Sequence, residues 1–429
     1  MRVSIVGTGY VGLSTGVGFA VKGNNVTCVD IIREKVDMIN RGDTPIYEPG
    51  LDEQLKDVLG RGLFRATTDL EKAVMYTDVT FISVGTPSRE DGSIDLRFIE
   101  EASRQIGEIL KEKTGYHVVV VKSTVVPGTT EDVVKRNLEK SSGKKASEDF
   151  GLCMNPEFLR EGKAMEDFLH PDRVVVGCID KRSGDLVEKL YFNFNTKIFR
   201  TEIKVAEMIK YASNALLAIK ITYSNEIGNI CKELGIDVYD VMKGVGMDNR
   251  LGPHFLSAGV GYGGSCFPKD VEALIAKAKS LGYDPKYLEE MHRHNRRQRE
   301  RLVELLEKKT KLHGKRICIL GLAFKPDSDD IRESPAIDII KSLKAKGASV
   351  VAYDPKAIEN MRVLFPDIHY AASAAEAIAG ADACLILTEW DEFKQLTDQD
   401  FGTMEKKIII EGRKALDPSK VTEFEGICW

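Results

Sequence analysis

Short apolar runs alternate with stretches of helical spacing along the first third of the chain. Arg2-Val3-Ser4-Ile5-Val6 reads as a buried strand, a helix is expected over 13–22, and Val26-Thr27-Cys28-Val29 reads as a second strand closed by Asp30. Further strands are expected over 78–84, ending in Gly85-Thr86-Pro87, and over 117–122, ending in Ser123-Thr124-Val125-Val126-Pro127-Gly128. From 203 to 234 the period changes. Val205, Met208, Ile209, Ala212, Leu216, Ile219 and Tyr223 recur at spacings of three and four, with no glycine or proline before Gly228. That predicts one long helix, whose apolar face needs a partner, and a second copy of the chain is the expected source.

The strand–helix pattern then starts again. Arg316-Ile317-Cys318-Ile319-Leu320 is a strand, Gly321-Leu322-Ala323-Phe324-Lys325-Pro326 a turn, 335–346 a helix, and 348–353 a strand ending at Asp354. The expected fold is therefore α/β, with two Rossmann-like, doubly wound parallel-sheet domains joined by a long central helix and a helical domain. The expected boundaries are 1–198, 199–300 and 301–429.

The two starts differ in their turns. Gly7-Thr8-Gly9-Tyr10-Val11-Gly12 carries the complete dinucleotide fingerprint. Gly7 makes the turn, Gly9 admits a pyrophosphate to backbone N–H groups, Gly12 lets helix and strand close up, and the helix N-terminus favours phosphate charge. Asp30 would accept hydrogen bonds from ribose hydroxyls and repel a 2′-phosphate, which points to NAD rather than NADP. The bland alternative is a glycine turn that only packs a helix. The second turn has lost this fingerprint, so that domain is expected to take a different nucleotide group.

Composition narrows the class. A net charge of −5 gives no general attraction to nucleic acid or an anionic membrane, and no apolar stretch approaches the ~20 residues of a membrane helix. The N-terminus runs straight into a strand, so no signal peptide is expected. The eight cysteines are scattered without CxxC or metal spacing, as expected for reduced thiols in a cytoplasmic enzyme with no metal site.

One cysteine stands apart. Gly261-Tyr262-Gly263-Gly264-Ser265-Cys266-Phe267-Pro268-Lys269-Asp270 places a thiol between a glycine-rich turn and the proline that opens a helix. A thiol at a helix N-terminus beside a lysine gains thiolate character and can act as a nucleophile; the alternative is a packing role. Lys210 and Asn214, four apart on the long helix, face one side, although a solvated lysine and a mid-helix asparagine would read the same way.

These residues, with Lys122-Ser123-Thr124, Asn155-Pro156-Glu157-Phe158-Leu159-Arg160-Glu161, Phe324-Lys325 and Arg332-Glu333-Ser334, make the whole chain resemble the UDP-glucose/GDP-mannose dehydrogenase family. The resemblance implies oxidation of a primary alcohol to a carboxylate with two NAD and no free aldehyde. In that scheme Cys266 adds to the aldehyde as a thiohemiacetal, which is oxidised to a thioester and hydrolysed. It assigns Lys210 and Asn214 to the oxyanion, and Thr124, Glu157 and Asp270 to holding or activating water, without choosing the base. It places Gly7, Thr8, Gly9, Tyr10, Val11, Gly12, Asp30, Lys35, Val84, Thr86, Ser123, Thr124, Glu161, Lys269 and Arg332 on the cofactor. It places Glu157, Phe158, Leu159, Arg160, Glu161, Lys210 and Asn214 along the nucleotide sugar. Arg250 is implied to reach the sugar from a neighbouring subunit. Phe255, Ser257, Tyr262 and Gly263 are implied around the base and phosphates, with Phe324, Lys325 and Arg413 contributed by the third domain.

Two positions bear on the substrate. Phe267 follows the cysteine where GDP-mannose enzymes tend to have leucine, which favours UDP-glucose over GDP-mannose or a UDP-N-acetyl sugar. Glu411-Gly412-Arg413 stands where the family commonly has aspartate, which keeps the charge and changes its reach. A homodimer or higher homo-oligomer is implied. A single-hydride hydroxyacid-type dehydrogenase shares the lysine–asparagine pair, but it lacks the thiol loop and the second nucleotide-type domain.

Overall fold

Each β-branched run seen in the sequence becomes a strand of one of two sheets. The computed structural model describes all 429 residues. In the first sheet β1 is Arg2–Val6, β2 Asn25–Val29, β3 Phe64–Thr67, β4 Val79–Ile82, β5 Val118–Val121, β6 Gly151–Met154, β7 Arg173–Cys178 and β8 Lys197–Thr201, in the order β3-β2-β1-β4-β5-β6-β7-β8. In the second, β9 is Arg316–Leu320, β10 Ser349–Tyr353, β11 His369–Tyr370, β12 Ala383–Ile386, β13 Ile409–Glu411 and β14 Glu425–Gly426, in the order β11-β10-β9-β12-β13-β14. The second order repeats the first six strands of the first, so the duplication is one of topology. Both orders reverse at a single switch point, between β1 and β4 and between β9 and β12, where such sheets bind ligands.

The sheets are parallel as expected, with one antiparallel junction, β6 against β7. A parallel neighbour needs a crossover to the far end, whereas an antiparallel one is entered from the same end. The connection 155–172 therefore stays at the carboxyl end of the first sheet, and it contains Glu157.

The chain divides into two compact units, Met1–Ser213 and Asn214–Trp429. The long helix is Ile203–Leu234 and passes through that boundary. It stops at Gly235, whose φ of +68° gives the left-handed step that commonly ends a helix. Its exposed and buried faces differ from the apolar periodicity. Val205, Met208, Leu216 and Tyr223 are exposed, while Ala206, Glu207, Lys210, Asn214, Ala218 and Asn225 are buried. Apart from Ile203, Tyr211 and Cys231, the inner face is built from small and polar residues, which hydrophobic spacing alone does not detect.

Candidate active site

In the first unit, β1 ends in a turn whose shape requires glycine. Gly7 has φ +100°, and a Cβ there would lie 2.6 Å from the Ser83 carbonyl at the end of β4. A Cβ on Gly12 would lie 2.0 Å from the Gly7 carbonyl, whereas one on Gly9 would meet nothing within 4 Å. The loop is thus tight at both ends and open at its crest. Helix Tyr10–Val21 begins there, three residues earlier than expected, with no side chain capping its N-terminus. Asp30, at the end of β2, accepts from the Thr8 amide (3.1 Å) and hydroxyl (2.5 Å) on Oδ2 and from the Ile32 amide (3.0 Å) on Oδ1. Its second oxygen keeps a lone pair for a further donor.

The ends of β4 and β5 are laced together. The Ser123 hydroxyl donates to the Val84 carbonyl at 2.7 Å, and the Thr86 hydroxyl to the Thr124 carbonyl at 3.0 Å. Beside them lies a buried charged cluster. Lys210 pairs with Glu157 at 2.8 Å, both almost fully enclosed, and the Leu159 amide donates to the other Glu157 oxygen at 2.6 Å. Burial alone would raise Glu157, but the charge and hydrogen bond of Lys210, the Leu159 amide and the charge of Lys122 hold it below the usual carboxylate range. Lys122, at the end of β5, donates to the Asn155 side-chain oxygen at 3.0 Å, and burial pulls it down to about 8. Tyr191 also donates to that oxygen, at 2.6 Å, and the Asn155 amide donates to the Val175 carbonyl at 2.8 Å. Two lysines thus face one carboxylate in a buried setting, an arrangement suited to an additional negative charge.

Around this cluster the connection 155–172 is braced. Glu48 accepts from the amides of Gly162 (2.8 Å) and Ala164 (2.6 Å). Phe158 lies under the Arg173 guanidinium at 3.9 Å, and Arg160 forks onto Asp167 at 2.5 and 3.0 Å. Glu161 and Lys35 are half-buried.

In the second unit, Cys266 is the N-cap of helix Phe267–Ser280, with Pro268 in its first turn. It is the one exposed cysteine of the eight. One turn on, Asp270 is buried and accepts from Asn214 at 2.7 Å and Lys269 at 2.6 Å. The preceding loop is clamped from several elements. The Asn295 side chain accepts from the Tyr262 amide at 2.8 Å and donates to the Tyr262 carbonyl at 3.0 Å, imitating a strand partner. Asn225 accepts from the Gly259 amide at 2.7 Å, and Arg413 donates to the Gly261 carbonyl at 2.6 Å. Gly264 donates to the Arg332 carbonyl at 2.9 Å, and a Cβ there would lie 2.6 Å from the Phe324 ring. A Cβ on Gly263 would lie 2.2 Å from the Glu333 carbonyl. Phe267 meets the Tyr262 ring at 5.9 Å and the Phe255 ring at 6.3 Å, with Phe255 in the left-handed region at φ +61°. Ser257 and Arg250 are exposed, Arg250 paired with Asp248 at 2.6 Å. Arg332 is paired with Asp330 at 2.6 Å, and the Lys325 ammonium lies 5.4 Å from the Phe324 ring.

Comparison with known proteins decides what this machinery belongs to. Three domain models of the UDP-glucose/GDP-mannose dehydrogenase family match in succession: the NAD binding domain at 1–195, the central domain at 204–297 and the UDP binding domain at 318–418. The chain belongs to this family. It is 46% identical to UDP-glucose 6-dehydrogenase AglM of Haloferax volcanii, over 100% of both chains. It is also 39% identical to GDP-mannose 6-dehydrogenase of Pseudomonas putida, again over 100% of both. A UDP-glucose dehydrogenase from Pyrobaculum islandicum superposes with TM-score 0.94 at 39% identity, covering 100% of this chain and 97% of that one. A UDP-D-ManNAc dehydrogenase from Pyrococcus horikoshii gives 0.88 at 31%, covering 100% and 99%.

As a member of this family the protein is an NAD-dependent nucleotide-sugar dehydrogenase, and its first unit fits NAD. The open crest at Gly9, the uncapped helix N-terminus and the spare acceptor on Asp30 suit a pyrophosphate and a ribose. The turn after β9 does not share these features. Gly321 keeps φ +100° against Thr388, but Asp354 already accepts five donors. Sequence reasoning missed Asn225, Asn295 and Glu48, and carried Asn155 only inside a motif. Lys122 was passed over as part of a motif, although a lysine closing four consecutive valines was a usable signal.

Proposed function

We propose that the protein oxidises C6 of UDP-glucose to the carboxylate of UDP-glucuronate, with Cys266 holding the aldehyde between the two oxidations. The observation that carries this reading is Cys266 itself, exposed at a helix N-terminus one turn before a buried carboxylate held by Lys269 and Asn214. NAD, when bound, supplies the hydride acceptor for both oxidations. Cys266 Sγ adds to the aldehyde carbon as a thiohemiacetal, loss of the second hydride and of the hydroxyl proton from that adduct gives a thioester, and water opens the thioester, which returns the thiol and leaves the acid. Lys210 and Asn214 donate to the oxyanion of each tetrahedral stage, a role worth roughly 3–4 kcal/mol per donor in a dry site. Glu157, kept ionised by Lys210, and Asp270 are the two carboxylates available to orient water, with Thr124 as a hydroxyl partner.

In this reading residues 1–198 hold NAD, 199–300 carry the chemistry and 301–429 hold the substrate nucleotide through Phe324, Lys325 and Arg413. Leu216, Tyr223 and Ile230 are each more than half exposed at seven-residue spacing on the long helix, which supports a homodimer formed along it. No helix is long and apolar enough to cross a membrane. None of the eight cysteines is in a disulfide, which suits a reducing, cytoplasmic setting.

The deciding experiment counts NADH formed per nucleotide sugar consumed. Two per UDP-glucose, with little turnover of GDP-mannose or UDP-N-acetyl sugars, is the expected result; one per sugar overturns the two-step scheme. In Cys266→Ser, turnover should stop after an early oxidation while NAD binding persists, and normal turnover there excludes the covalent step. A monomer at micromolar concentration in light scattering removes the dimer.

A further inference from the structure

We propose that Cys153 and Cys178 form a redox-active dithiol that closes to a disulfide when the protein meets a small-molecule disulfide. The two residues stand directly opposite each other at the one antiparallel junction of the first sheet, β6 against β7. The Ile179 amide donates to the Leu152 carbonyl at 3.0 Å, making 152/179 a hydrogen-bonded pair and Cys153/Cys178 the non-hydrogen-bonded pair beside it. Such pairs bring their Cα atoms to about 4.5 Å, inside the range of about 4.4–6.8 Å that disulfides span.

Opposed residues also share a face of the sheet. Both thiols lie under helix Lys181–Leu190: a Cβ on Gly151, which shares a face of β6 with Cys153, would lie 2.7 Å from Ser183 Cβ, and a Cβ on Gly184 would lie 2.9 Å from Cys178 Sγ. The missing side chain at 184 is what makes room for the sulfur.

The pair is asymmetric in the way thiol exchange requires. Cys178 is half-buried and open to a reagent, whereas Cys153 is buried. The same point over Gly184 is 3.0 Å from the Arg200 guanidinium, so a cation lies beside Cys178. Burial raises both thiols; Arg200, itself paired with Asp185 and Glu188, acts against that in each, while Asp180, Glu188 and Asp185 add to the rise at Cys178. Its access to solvent is what makes Cys178 the attacking thiol and Cys153 the resolving one.

The Cys178 thiolate displaces one thiolate from the oxidant RSSR, leaving Cys178–S–SR. The Cys153 thiolate then attacks the Cys178 sulfur and expels the second RS⁻. The protein loses two electrons and two protons, and RSSR becomes two RSH. Cys318 and Cys384 are also neighbours in register, on β9 and β12, but both are fully enclosed in the second core and offer no route for a reagent.

The test uses the whole native protein with glutathione disulfide, followed by denaturation, alkylation and non-reducing tryptic mass mapping. The expected product is peptide 146–160 joined to peptide 174–181, lighter than their sum by two hydrogens, with a higher thermal midpoint than the reduced protein. Cys153→Ser should trap glutathione on Cys178, and Cys178→Ser should leave Cys153 unmodified. Recovery of the two peptides separately alkylated, under conditions that fully modify Cys266, overturns the proposal. That wild-type map decides the matter even if either variant fails to fold.

Discussion

Replacing Asn295 by leucine tests whether the thiol loop depends on its clamp. The side chains are similar in size, so packing on helix Lys286–Lys309 changes little, while both hydrogen bonds to Tyr262 disappear. The Tyr262 carbonyl keeps a donor in Arg299 at 3.2 Å, but its amide loses its acceptor. One buried, unsatisfied donor costs about 1–3 kcal/mol, so local opening of the loop becomes roughly 5- to 150-fold more frequent. Native-state hydrogen exchange reads this directly as faster exchange at the Tyr262 amide. The Val26 amide, in β2 of the other unit, serves as the unchanged control. Because the loop leads to Cys266, a displacement of about 1 Å there should also lower kcat/KM by about 100-fold. Unaltered Tyr262 exchange together with kcat/KM within about twofold of the parent would show that the clamp does not position the thiol.

Gly12→Ala forces a Cβ against the Gly7 carbonyl, and overpacking of about 1–3 kcal/mol in the cofactor loop should weaken NAD binding roughly 5- to 150-fold in a fluorescence titration. Lys210→Met leaves Glu157 buried without its partner, a loss of about 3–5 kcal/mol; the thermal midpoint should drop and recover in part when Glu157→Gln is added. Burial raises Glu411 from 4.5 to about 7, so between those values the folded chain holds a proton that the unfolded chain has released. Stability from this group is therefore present below pH 4.5 and lost as pH rises toward 7. Melts across that window should show a flatter slope in Glu411→Gln, with the share due to Glu207, also raised to about 7 by burial, left in place.

The parts of the site that read out of the sequence are those whose geometry is local. Gly7, Gly9 and Gly12 lie within six residues, and Cys266, Pro268 and Asp270 within one turn, so chain spacing already carries their arrangement. Asn295 was invisible because its partner, Tyr262, is 33 residues away and an asparagine inside a helix carries no directional signal. Glu48 is still more remote, meeting Gly162 across 114 residues. The long helix was legible as a helix but not as a surface. Its apolar spacing marked Val205, Met208, Leu216 and Tyr223, whereas the inner face belongs to Lys210, Asn214 and Asn225, whose burial is stabilised by hydrogen bonds and charge. The antiparallel β7 was likewise unreadable, since strand direction depends on where the connection travels.

The crowding of Asp354 separates the repeated halves in a way that strand order cannot. On Oδ2 it takes the amides of Leu322 and Ala323 and the indole of Trp390, and on Oδ1 the amides of Lys356 and Ala357. Asp30 stands at the same place in the first sheet with three donors and capacity for one more. One carboxylate has become a keystone and the other remains a socket. An aspartate-to-alanine change at 354 should therefore be a lesion of folding that spares cofactor preference, and the same change at 30 a lesion of preference in a chain that still folds.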